Sequence, residues 1–119
     1  MAHLEEGDAV SYGLKRPLKK SSQVATLPLG YADGVRRGLW EKGTVLIGGK
    51  RRPFAGVICM DSLAVVCDDD PITPGTEAVL LGSQLDESIT ANEWGRVLGT
   101  IGYEVVCGIS PRISRIYLE

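Results

Sequence analysis

The chain has 119 residues, enough for one domain with one core. Hydrophobic residues make up 44% and charged residues 24%, and the net charge of −2 gives no concentrated basic face for nucleic acid. No apolar stretch reaches the roughly 18 residues of a membrane helix. The start, MAHLEEGDAV, lacks the basic and apolar segments of a signal peptide, so a cytoplasmic protein is expected.

In chain order, residues 1–20 are the least strand-like and are expected to form an arm or loop. Their cluster of Lys15, Arg16, Lys19 and Lys20 reads as a solvated face. QVATLPLG (23–30) predicts a strand. TVLIGGKRRPFAGVICM predicts two short strands around Gly48-Gly49, a hairpin signal, the second from about Arg52 to Ile58. SLAVVC (62–67) predicts a buried strand of small and β-branched residues. CDDDPITPGTE is a loop with a Pro74-Gly75 turn signal. EAVLLG (77–82) predicts a further strand. Thr90-Ala-Asn-Glu93 fits a capping box, Trp94, Val97 and Leu98 recur at helical spacing, and Gly99 suits the helix end. A short second helix is expected over YEVVC (103–107), and a last strand over PRISRIYLE. With 15 glycines and 6 prolines as punctuation, the whole predicts a single mostly-β domain over 1–119. Its expected form is a compact antiparallel barrel-like, Greek-key or sandwich-like arrangement with one or two short helices.

Acid–base groups are scarce. The single histidine, His3, stands in a terminus expected to be mobile, so no Ser-His or Cys-His pair can be built. No phosphate-binding glycine loop is present. Three widely spaced cysteines, Cys59, Cys67 and Cys107, argue against a disulfide framework or a zinc site and for reduced, mostly buried thiols. Asp68, Asp69 and Asp70 lack a calcium-loop spacing and read as a solvated loop. No metal is expected. Three of the four tyrosines lie beside glycine: Tyr12 in SYG, Tyr31 in GYADG and Tyr103 in GYE. Such rings are presented at loop or strand ends rather than packed. Tyr117, within the expected last strand, reads as structural.

VSYG, ATLPLGYADGVRR, GVICMDSLAVV and TIGYEVVCGISPRISRIY stand in this order. In sequence and spacing they resemble the C-terminal β-domain of alanine racemase. The resemblance runs from about Val10 to Leu118. It implies an enzyme dependent on pyridoxal 5′-phosphate (PLP), whose N-terminal (β/α)₈ barrel carries the PLP-binding lysine. Interconversion of L- and D-alanine, with D-alanine going to the bacterial cell wall, is the implied activity. Tyr12 matches one of the two catalytic bases, which reaches into the partner subunit's site in a homodimer. Tyr31 matches a tyrosine at the mouth of the substrate pocket. Met60 matches the residue whose backbone N–H helps hold the substrate carboxylate. Tyr103 matches a tyrosine of the access corridor that contacts the PLP phosphate of its own subunit, and Arg37 aligns with a corridor arginine.

One departure stands out. Many members read Gly-Arg-x-x-Met-Asp where this chain has Gly56-Val57-Ile58-Cys59-Met60-Asp61, so Val57 replaces a corridor arginine. Arg36 or Arg37 is then a candidate to supply the missing charge. The partners implied are the barrels of the same and the partner subunit, and the isolated chain is expected to be inactive. Two alternatives stay open on sequence: a serine-preferring racemase of the same family, and a free-standing β-domain that only binds.

Overall fold

The computed structural model describes residues 2–9 and 22–118. Strand β1 (Ala2–Leu4) pairs antiparallel with β2 (Ser22–Leu27), His3 opposite Gln23. The expected N-terminal arm therefore contributes a strand. His3 is held there, its Nδ1 3.3 Å from the Gln23 amide and its Nε2 3.4 Å from Glu5. Two single-turn 3₁₀ helices follow, Tyr31–Asp33 and Arg37–Leu39. The β3 (Thr44–Ile47) and β4 (Lys50–Pro53) hairpin closes at Gly48-Gly49, both with left-handed φ of 65° and 75°. Two consecutive left-handed residues make a tight turn whose twist matches the flanking strands, which is why both positions are glycine.

β4 starts earlier and stops sooner than expected. Pro53, opposite Thr44, has no N–H to continue the ladder, and only Phe54 adds a single bridge to Val65. Ala55, Val57 and Ile58 are all buried in consecutive order, so the run lacks the alternation of a strand. β5 (Leu63–Val66) pairs with β2, giving a sheet of order β1-β2-β5. β6 shrinks to Ala78–Val79 beside β3, and a hairpin absent from the sequence reading, β7 (Gly82–Gln84) with β8 (Glu87–Ile89), follows. The antiparallel β-architecture is as expected. Among the described residues the strands form three small sheets rather than a closed barrel.

Helix α1 (Ala91–Leu98) begins as its sequence predicts. The Thr90 side chain accepts from the Glu93 N–H at 3.1 Å, and Gly99 closes the other end at φ 75°. The Glu93 carboxylate turns to Arg51 of β4. Helix α2 (Gly102–Cys107) packs on α1. Leu39, Val45, Leu46, Phe54, Ile58, Val65, Ile89, Trp94 and Val105 form the core, so both helices and all three sheets close on one apolar cluster. Within it, buried Arg52 bonds the carbonyls of Ile47 and Cys67 and pairs with Asp70 at 2.5 Å. That contact holds the Asp70 carboxyl below its ordinary range, so the aspartate run is not merely solvated.

The C-terminal segment is not a strand. It turns at residues 111–113 and runs on irregularly, leaving Ile116, Tyr117 and Leu118 exposed. Arg115 occupies the carbonyls of Ile109, Ser110 and Ile113. Tyr117 is thus not a packed strand residue. Among the described residues, no helix is long and apolar enough to cross a membrane.

Candidate functional site

The segment Gly30–Val35 lies directly on Cys59–Asp61. The Tyr31 N–H donates to the Cys59 carbonyl at 2.9 Å and the Ala32 N–H to the Met60 carbonyl at 3.0 Å. Gly30 makes this approach possible: a Cβ there would collide with the Cys59 oxygen and lie 2.6 Å from the Met60 oxygen. Asp33 then turns back, its Oδ2 accepting from the Gly30 N–H at 2.9 Å. Two residues predicted from separate motifs, Tyr31 and Met60, are so brought to one place. Tyr31 is 36% exposed and Met60 47%, which makes them a surface rim rather than core.

The orientation of the Met60 amide follows from these bonds. There are no cis peptides among the described residues. A planar trans unit points its C=O and N–H in opposite directions. The Cys59 carbonyl faces Tyr31, so the Met60 N–H faces away from the Tyr31 backbone. The same reasoning turns the Asp61 N–H away from Ala32.

A third segment joins them. Ser110 N–H donates to the Asp33 carbonyl at 3.0 Å, and Gly34, at φ 112°, sits against the Gly108 backbone. Arg112 lies between two carboxylates, with Nε 3.2 Å from Asp33 Oδ1 and Nη2 3.0 Å from Asp61 Oδ1. Asp33 is 7% exposed. The sequence motifs point to none of Asp33, Asp61 and Arg112 as site residues. Nothing local signals a link between residues so far apart in the chain.

Tyr103 is 81% exposed on α2, beside the exposed Ile101 and Val106. With Thr90, Ala91 and Asn92 they line a shallow groove. Arg36 connects this helix to the Tyr31 segment, its guanidinium 3.5 Å from the Glu104 carboxylate and 3.4 Å from the Glu104 carbonyl. Arg37 is exposed on the following 3₁₀ turn, so of the two arginines it is Arg36 that reaches α2. Val57 is buried at 1% exposure, an apolar place where an unpaired charge would be costly. Tyr12 and the lysine–arginine cluster lie outside the described residues. Cys59 is half-buried and Cys67 buried, while Cys107 is exposed on α2, against the expectation of mostly buried thiols. Burial pushes the Cys67 thiol up. Among the described residues, no three His, Cys, Asp or Glu side chains gather as a metal site.

The sequence and the fold match known proteins. The family model described as alanine racemase, C-terminal domain, matches residues 1–117. The alanine racemase of Cutibacterium acnes is 45% identical over 113 residues, covering 94% of this chain and 30% of that protein. That of Carboxydothermus hydrogenoformans is 50% identical, covering 94% of this chain and 31% of the relative. Among solved structures, alanine racemase from Streptomyces coelicolor A3(2) superposes with a TM-score of 0.91 at 39% identity, over 98% of this chain and 30% of that one. The Bacillus anthracis enzyme with bound L-Ala-P gives 0.93 at 36% identity, over 99% and 30%. The chain therefore spans less than a third of the length of these relatives, and over that span it belongs to the alanine racemase C-terminal domain family.

Proposed function

We propose that this chain serves as the C-terminal β-domain of a PLP-dependent racemase that interconverts L- and D-alanine. In this reading residues 1–119 act as one domain, which works only with a barrel domain and provides one wall of the site. The observation that carries the reading is the stacking of Gly30–Ala32 on Cys59–Met60. It puts Tyr31 beside Met60 and turns the Met60 N–H away from the Cys59 carbonyl contact. A fixed backbone donor suits a substrate carboxylate, because it needs no reorganisation when the charge arrives.

The described residues fit PLP as a wall, not as an enclosing pocket. Tyr103 offers an exposed phenol next to apolar Ile101 and Val106, suited to a phosphate and the edge of a ring held by another domain. PLP, when bound, withdraws electrons from the amino acid's α-carbon and so makes its proton removable. Racemisation removes that proton from one face and returns one to the other, which calls for a base on each side. The lysine of the barrel serves one face, and Tyr12 serves the other in the partner subunit. An ordinary phenol has a pKa near 10, so Tyr12 needs a cation or hydrogen-bond donor beside it. Arg37 lines the corridor, where Arg36 already ties α2 to the Tyr31 segment.

The test is Tyr12→Phe in the full-length enzyme. We expect alanine racemisation to fall by at least about a hundredfold, the low end of what one general acid–base group contributes, with PLP still bound. Unchanged turnover would remove Tyr12 from the chemistry. The isolated chain mixed with PLP and alanine should show no racemisation, and activity there would refute the need for a barrel.

A further inference from the structure

We infer that Arg112 is a positioning residue: its guanidinium clamps the Tyr31 segment to the Met60 segment by bridging Asp33 and Asp61. The inference rests on the reading of Tyr31 and Met60 as one wall of the substrate site.

Backbone hydrogen bonds alone align Gly30–Ala32 with Cys59–Met60, but only along one edge of each segment. The side-chain bridge lies beyond that edge. Asp33 stands two residues after Tyr31, and Asp61 directly after Met60. Arg112 Nε meets Asp33 Oδ1 at 3.2 Å while Nη2 meets Asp61 Oδ1 at 3.0 Å. Nε and Nη2 belong to one rigid planar fork, so the two carboxylates are set at a fixed separation and in a fixed orientation. Lysine, a point charge on a flexible stem, cannot impose that.

The two ends of the bridge are unequal. Asp33 is 7% exposed and Asp61 64%. The buried end also accepts from the Gly30 N–H, so Asp33 is held on both oxygens. Asp61 sits in water and gains little from the pair by itself. The contact with Asp61 therefore does more to fix the Met60 segment in place than to stabilise the fold. Arg112 is in turn anchored through its own segment, with its N–H on the Ser110 Oγ at 3.1 Å and the Ser110 N–H on the Asp33 carbonyl. The clamp thus draws on three stretches of chain.

The experiment uses the full-length enzyme with PLP and measures KM and kcat for alanine, PLP occupancy and Tm. Arg112→Gln should raise KM about tenfold or more, since ångström-scale misplacement of a binding group is enough for that. PLP occupancy should hold and kcat should change less than KM. Arg112→Lys should fall between Arg112→Gln and wild type. Asp61→Asn, at the exposed end, should raise KM about two- to fivefold with Tm unchanged, and it decides the matter if Arg112→Gln does not fold. A normal KM in Asp61→Asn and in any folded Arg112 variant overturns the clamp. So does a KM that rises only in step with a falling Tm. Tyr31→Ala runs alongside. If it raises KM while the clamp variants do not, the clamp alone fails. If Tyr31→Ala also leaves KM unchanged, the wall itself is wrong and the clamp falls with it.

Discussion

Arg51 grips Glu93 with both terminal nitrogens, Nη1 at 2.6 Å from one carboxylate oxygen and Nη2 at 2.8 Å from the other. Its Nε reaches Glu87 at 3.1 Å. One arginine on β4 thereby ties β8 and the first turn of α1 to the β3–β4 hairpin. The pair raises the Arg51 pKa and holds the Glu93 carboxyl below its ordinary value, chiefly through the hydrogen bond itself.

A carboxyl depressed in the folded state stabilises above its unfolded pKa and loses that contribution as pH falls through the folded value. Glu93→Gln should therefore flatten the stability profile below about pH 4, near the ordinary glutamate pKa. At pH 7, Glu93→Ala should cost roughly 1 kcal/mol, because the pair is partly exposed and water screens it. Urea unfolding at pH 7 and pH 3 checks both. An identical pH dependence in wild type and Glu93→Gln would refute the assignment.

Arg52 behaves differently because it is buried. Removing Asp70 takes the carboxylate from a guanidinium inside the fold and leaves it, among the described residues, on the Ile47 and Cys67 carbonyls. Asp70→Ala should thus lower Tm more than Asp69→Ala, its neighbour in the same loop. Arg52→Met should be tolerated better than Asp70→Ala, since it removes the charge instead of stranding it. Equal losses in the two single variants would mean that the burial of the charge is not what matters.

Gly30→Ala is a steric test. Its φ of −159° is open to any residue, so backbone strain plays no part. The added methyl instead meets the Cys59 and Met60 carbonyl oxygens. The expected result is separation of the two segments and a Tm loss of several degrees, on the scale of about 1–3 kcal/mol for overpacking. Gly75→Ala, where a methyl meets nothing within 4 Å, is the comparison, although its φ of 93° adds strain of its own. A Gly30→Ala variant with wild-type Tm contradicts the contact.

The thiols should separate by rate. Cys107 is exposed on α2 and should react with a thiol reagent within the mixing time or minutes. Cys67 is 0% exposed with its thiol pushed up, and should react only on unfolding. Mass mapping of the labelled peptides identifies which cysteine reacts first. Early labelling of Cys67 would show that the core opens readily.

Where one local signal decided an element, the sequence was readable. Thr90 and Gly99 bracket α1, and Gly48-Gly49 turns the hairpin. The β7–β8 hairpin was not readable: its turn carries Leu85 at φ 53° instead of glycine, and its strands are three residues each. The final segment misled because Ile116-Tyr117-Leu118 has strand composition but joins no sheet among the described residues and stays exposed. Within the candidate site, motif resemblance picked out Tyr31, Met60 and Tyr103. It passed over Arg112 and Asp61, because a long-range ion pair leaves no periodicity to read.

The stacking of Gly30–Ala32 on Cys59–Met60 also bears on which positions can drift. The Met60 N–H takes its direction from the peptide plane and from the bond that Tyr31 makes to the Cys59 oxygen. No atom beyond the Met60 Cα takes part. Leucine or glutamine at position 60 would present the same donor, whereas one methyl at position 30 would turn it aside. Tolerance to mutation is thus inverted between the two positions: the residue that supplies the donor is replaceable, and the residue with no side chain at all is not.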